Sequence, residues 1–163
     1  MSVTVLELIA LELLARLELL VDNGGTYNTN VCEVIRPTRL GSNWTPKHLQ
    51  ILLTQGSDEV VEELSYPGNP PSIAHRQTFN IRCHVMSDEQ DIEAIETVIN
   101  TFAADVVKVV CSPTEWYHFL GNSINANWLS TESITADGGL DGVNVPIAII
   151  YRTSENDPYT VRS

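Results

Sequence analysis

A chain of 163 residues with 43% apolar content is long enough to bury a core as one domain, residues 1–163, without covalent staples. Nine Lys plus Arg against 21 Asp plus Glu leave a formal charge of −12, which repels phosphate backbones and anionic lipid. That balance works against tight nucleic-acid binding, although an acidic surface still lets DNA pass as a neighbour that is not held.

In chain order, residues 4–22 read as a helix rich in Leu, Glu and Ala, with Thr4 or Ser2 as N-cap and Asn23-Gly24-Gly25 as its stop. Glu7 and Glu18 fall within roughly 20° of each other around the axis, while Glu12 and Arg16 form an i,i+4 pair on nearly the opposite side. Two polar stripes leave two apolar flanks. A monomer core needs one of them, so the second calls for either another intrachain contact or a subunit interface.

The stretch "TYNTNVCEVIRPTR" alternates through Tyr27, Val31 and Ile35 and predicts a strand ending near Pro37, followed by the loop "LGSNWTP". "KHLQILLT" places Leu49, Ile51 and Leu53 on one face of a second strand, and "HRQTFNIRCHVM" places Phe79, Ile81, Cys83 and Val85 on one face of a third. Between them lies an acidic, proline-rich arm at about 55–72, bearing Asp58, Glu59, Glu62 and Glu63. It is long for a plain turn and reads as an extended hairpin arm or a mobile loop. Ser87 to Gln90 form a capping box that opens a helix over about 88–110, with Ile92, Ile95, Ile99, Phe102, Val106 and Val109 at helical spacing and Ser112-Pro113 as its stop. A loop with Trp116, Tyr117, Phe119 and Gly121 leads to "WLSTESITAD" and the turn signal "DGGLDG". A final apolar strand, Val145–Tyr151, precedes a C-terminal extension, 153–163. Pro146 cannot donate to a ladder and is expected at a strand start or an edge. The expected class is α+β: a mostly antiparallel sheet of about four to five strands with two helices packed on it.

Chemistry motifs are weak. Cys32, Cys83 and Cys111 are odd in number and widely spaced, which argues against a disulfide framework and suggests core thiols in a reducing compartment. With His48, His75, His84 and His118 they fall into no CxxC or HExxH spacing, so no metal or other cofactor is expected. Cys83 and His84 are strand neighbours on opposite faces and cannot act as nucleophile and base. "GGLDG" precedes a strand and is a turn, not a phosphate cradle. The acidic cluster of the arm reads as solvated surface more readily than as paired acid/base carboxylates. Trp44, Trp116 and Trp128 lack basic surroundings and suit loop anchoring or a protein interface better than base stacking. The first 21 residues lack the basic start of a signal peptide, and no apolar run is long enough to cross a bilayer.

Taken in order, the N-terminal helix, "VIRPTR", the acidic arm, "FNIRCHVM" feeding a long helix, and "NVPIAIIYRTSENDPYT" resemble the tail terminator proteins of long-tailed bacteriophages, the group that includes the lambdoid minor tail protein U. The resemblance spans nearly the whole chain and is sharpest at Tyr151-Arg152-Thr153 and Asp157-Pro158-Tyr159. It implies a non-enzymatic virion protein, assembled in the host cytoplasm into a homohexameric ring. That ring would end tail-tube polymerisation, join the tube to the head–neck connector, and surround passing DNA without binding it specifically. Glu7, Glu18, Arg152, Asp157, Pro158 and Tyr159 are then candidates for the subunit interface, with Arg152 pairing an acidic group and Tyr159 packing on a neighbour that holds the tail. Asp58, Glu59, Glu62 and Glu63 are candidates for the lumen or the tube-facing side. The alternatives are another head–tail neck component, such as a head-completion or stopper protein, and a small cytoplasmic enzyme. A deep polar pocket with convergent His and carboxylates would favour the enzyme.

Overall fold

The computed structural model describes residues 2–36, 47–86, 92–111, 125–136 and 140–161. Within them run α1 (Val5–Glu18), β1 (Glu33–Ile35), β2 (Gln50–Val60), a 3-10 turn (Glu62–Leu64), β3 (Ser72–Met86), α2 (Ile92–Val110), β4 (Asn125–Trp128), β5 (Glu132–Ala136), β6 (Leu140–Ser154) and β7 (Asp157–Val161). The class is α+β, with the strands joined in one mixed sheet that curls into a half-barrel.

Two expectations about the sheet are corrected. It holds seven strands among the described residues instead of four to five, and it is not purely antiparallel, because β1 runs parallel to β2 with Glu33 opposite Gln50. The main spine is β1-β2-β3-β6-β4, with β5 and β7 also pairing β6. β3 and β6 pair in unbroken antiparallel register from Ser72↔Ser154 to Met86↔Leu140. Both strands are therefore far longer than their apolar centres suggest.

Strand periodicity decides which face is buried. Phe79, Ile81, Cys83 and Val85 on β3, and the odd-numbered residues from Val143 to Thr153 on β6, point to one side and are buried. The inner face of α1 (Val5, Ile9, Leu13, Leu17) and that of α2 (Phe102, Val106, Val109) close over the same core. Thr4 is the N-cap of α1, its hydroxyl accepting from the Glu7 amide at 3.2 Å.

The predicted strand from Tyr27 shrinks to Glu33–Ile35 because side chains claim its backbone. Asn23 accepts from the Gly25 and Tyr27 amides and donates to the Leu20 and Thr29 carbonyls, while the buried Asp105 carboxylate of α2 accepts from the Thr29 amide at 2.7 Å. Gly24 and Gly25, both at positive φ, make this turn possible.

Pro146 lies inside the longest unbroken ladder, not at an edge or a strand start. The carbonyl of Pro146 accepts from the Leu129 amide, and N and C=O of one strand residue point to the same side. The missing N–H therefore faces the gap between β4, which pairs Ile147–Ile150, and β5, which pairs Leu140–Asn144. No ladder bond to β3 is lost.

Two further corrections concern a thiol and an imidazole. Cys32 is exposed and not a core thiol, whereas Cys83 is buried. His84 points away from Cys83 but is itself buried, so its pKa is lowered by burial and by nearby Arg82. The chain end returns onto its own sheet, with Thr153↔Val161 pairing β6 to β7. The loop 40–46, the box Ser87–Gln90, Ser112-Pro113 and the loop bearing Trp116 to Gly121 lie outside the described residues. So do Trp44, His118 and residues 137–139 of the "DGGLDG" turn.

Candidate interaction surfaces and a polar cleft

α1 is covered on one side only. Its outer side shows Leu11 at 46% and Leu19 at 54% exposure, with Val3 just before the helix at 45%. Arg16 departs from an ordinary surface pair: it is buried and bonds Glu12 at 3.0 Å. Glu7 forms a two-pronged bond to Arg36 at 2.7 and 2.9 Å, tying α1 to the end of β1 within one chain. Glu18, the other acid of its stripe, is exposed.

The Arg36 guanidinium holds the Glu7 carboxyl below its usual value, chiefly through the hydrogen bond, and Lys47 does the same for Glu33. A carboxylate depressed in the folded state contributes stability above its unfolded value of 4.5, and that contribution fades as pH falls through the lower folded value. Glu7→Gln is therefore expected to cost no more than about 1 kcal/mol near neutrality, because the pair is partly exposed. The same variant should unfold with a shallower acid limb in denaturant titrations below pH 4.5. An acid limb identical to that of the parent chain would refute the assignment.

The segment 55–72 is the far end of the β2–β3 hairpin. Asp58 and Glu59 lie on β2, Glu62 and Glu63 in the 3-10 turn, and all four are exposed. A register shift between Gln55 and Asp58 bends the hairpin, and Arg76 across the ladder bonds Glu59 at 3.0 Å. Arg152 pairs with no carboxylate of its own chain among the described residues. Its Nε donates to the Leu64 carbonyl at 3.2 Å and its guanidinium lies 5.2 Å from the centre of the Tyr66 ring, which clamps the 3-10 turn to β6. In β7, Asp157 accepts from the Tyr159 amide at 3.0 Å, leaving the Tyr159 ring 51% exposed. Pro158 turns toward a cleft.

That cleft, about 460 Å³, lies between the start of α1 (Thr4, Leu6), Asp58, and the β6–β7 turn. Its polar centre was not foreseen from the sequence. His75 stacks on Tyr151 at 5.0 Å, its Nε2 lies 3.2 Å from Thr153 Oγ1, and its Nδ1 lies 3.6 Å from Asp58 Oδ2. Burial and then the Asp58 charge raise the pKa of Tyr151, keeping the phenol protonated. His75 and Thr153 are 78 positions apart, and only the β3–β6 register brings them together.

Among the described residues no group of three or more His, Cys, Asp or Glu is placed to hold a metal, and no helix is long and apolar enough to cross a membrane. No protein-family model matches the chain, and no curated protein matches it significantly in sequence.

Proposed function

We propose that this chain is a structural virion protein, the subunit of a homohexameric ring that ends tail-tube polymerisation and joins the tail to the head–neck connector. The observation that carries this reading is the outer side of α1. Its inner face is saturated by the core, yet Val3, Leu11 and Leu19 remain uncovered, as a subunit packed against copies of itself requires. The exposed carboxylates of the β2–β3 hairpin support a lumen or tube-facing position, where they would repel phosphate and let DNA slide. Ring assembly occurs in the host cytoplasm, and the tube protein and connector are its partners. Of the proposed interface residues, Glu18, Pro158 and Tyr159 are exposed for an outside contact. Glu7 and Arg152 are spent within the chain, and the Asp157 carboxylate caps the Tyr159 amide.

Particles made without the protein test the assignment. Overlong tails are expected for a terminator, whereas tails of normal length detached from heads would transfer the protein to the neck-joining alternative. Deleting 153–163 is a poor probe, because Thr153 and Ser154 are buried parts of β6; Tyr159→Ala is the cleaner variant.

The cleft favours a second, weaker reading as a small hydrolase, with Thr153 as nucleophile, His75 as base and Asp58 as its orienter. Two magnitudes count against it. The 3.6 Å from Nδ1 to Asp58 is too long for a hydrogen bond, and Thr153 is only 4% exposed. Hydrolysis of an activated ester that disappears in both His75→Ala and Thr153→Val would establish it.

A further inference from the structure

We propose that the groove between α2 and β4 receives the outer side of α1 from a second copy of this chain, an inference that rests on the ring reading and specifies its subunit contact. The groove encloses about 500 Å³ and is lined by Asn100, Ala103, Ala104, Val107, Lys108 and Trp128. Between Asn100 and Lys108 its walls are small or apolar. Ala103 and Ala104 let a helix backbone approach closely, and Trp128 supplies a ring face that is 53% exposed while its N–H donates to the Ser130 carbonyl.

The outer side of α1 presents Leu11, Ala15, Glu18 and Leu19 at i, i+4, i+7 and i+8, one stripe of a helix. The two features match in length. Leu11 to Leu19 and Asn100 to Lys108 are each nine residues, with on the order of 12 Å of helix between their ends. They also match in charge. Lys108 touches the Tyr27 ring, 5.4 Å from its centre, but no carboxylate among the described residues pairs with it, and none of their cations pairs with Glu18. A parallel seating with Leu11 beside Asn100 brings Ala15 beside Ala104 and Leu19 beside Lys108, with Glu18 one residue, about 1.5 Å along the axis, from Lys108.

The two features are different patches of the surface, although α1 also packs on α2, β7 and β1 within its own chain. Glu7–Arg36 ties α1 to the residue after β1, and the Val31 amide donates to the Leu20 carbonyl between the segments that follow α1 and precede β1. The groove is bounded by β4. A contact from one to the other is heterologous and leaves both surfaces of every copy engaged when it closes into a ring.

The test mixes two chains in a Cys32→Ser background, one carrying Ala15→Cys and the other Ala104→Cys, oxidised at high protein concentration with and without isolated tail tubes. A disulfide between the two chains is expected, and neither variant alone should give it. Sedimentation should show Leu11→Glu weakening self-association at least about tenfold, with unfolding unchanged because Leu11 is half exposed. Glu18→Lys and Lys108→Glu should each weaken it by about threefold and largely restore it when combined. Oligomers that form without the cross-link and ignore Leu11→Glu would overturn this contact while leaving the ring intact. A chain that stays monomeric in every condition, tubes included, would remove the ring and the contact together.

Discussion

Phe79→Ala is expected to destabilise the fold by about 3–5 kcal/mol, the usual cost of emptying a fully enclosed aromatic site. Phe79 is 0% exposed and lies opposite Gln55 on β2 and Ile147 on β6, at the middle of the three-strand centre. Both helices pack over the core to which it belongs, so the cavity cannot be filled by one local shift. A typical domain is stable by about 5–15 kcal/mol, so this single truncation would remove about a fifth of the margin or more. Denaturant unfolding should show a lower midpoint with an unchanged slope, while the exposed Met86→Ala at the end of the same strand stays within about 0.5 kcal/mol. A Phe79→Ala midpoint close to that of the parent chain would mean that the ring is not where the core closes.

Gly142→Val carries the second large effect, for a different reason. A Cβ on Gly142 would stand 2.5 Å from the Cys83 carbonyl oxygen, closer than any real side chain tolerates. Backbone, not a flexible side-chain tip, opposes it, and Cys83 cannot retreat because its own side chain is buried in the core. β3 and β6 would have to part at the Gly142↔His84 pair, near one end of the ladder that organises the sheet. The expected cost is about 2 kcal/mol or more, with Gly142→Ala smaller than Gly142→Val. Thermal unfolding gives the magnitude. Amide exchange should locate it, with protection lost at residues 83–85 and kept at the Ser72↔Ser154 end. Full protection throughout would exclude the close approach.

The two effects illustrate how much was legible beforehand. Alternation marked Phe79, Ile81, Cys83 and Val85 as one buried face, and all four are buried. Helical spacing placed α2 within a few residues of its start and at its true end, and Thr4 was one of two caps foreseen for α1. The need for glycine at 142 was not legible, since the string around it reads only as a turn. The same holds for His75, Tyr151 and Thr153, which no local motif joins. The stretch from Tyr27 failed in the opposite direction. It has strand-like alternation, but Asn23 and Asp105 take its amides first, and Asp105 is supplied by a helix 76 positions away.

By itself the sequence determined the local periods, the Thr4 cap of α1 and the charge of this protein. Helix and strand periods are set by neighbours within a few residues, and net charge by composition alone. Tertiary structure alone decided the parallel placement of β1, the length of β6, the return of β7 onto it, and the grouping of His75 with Asp58 and Thr153. Each of these depends on the register between segments distant in the chain. A one-residue slip of that register would exchange the two faces of every strand, so burial of the whole core selects it and no short stretch can.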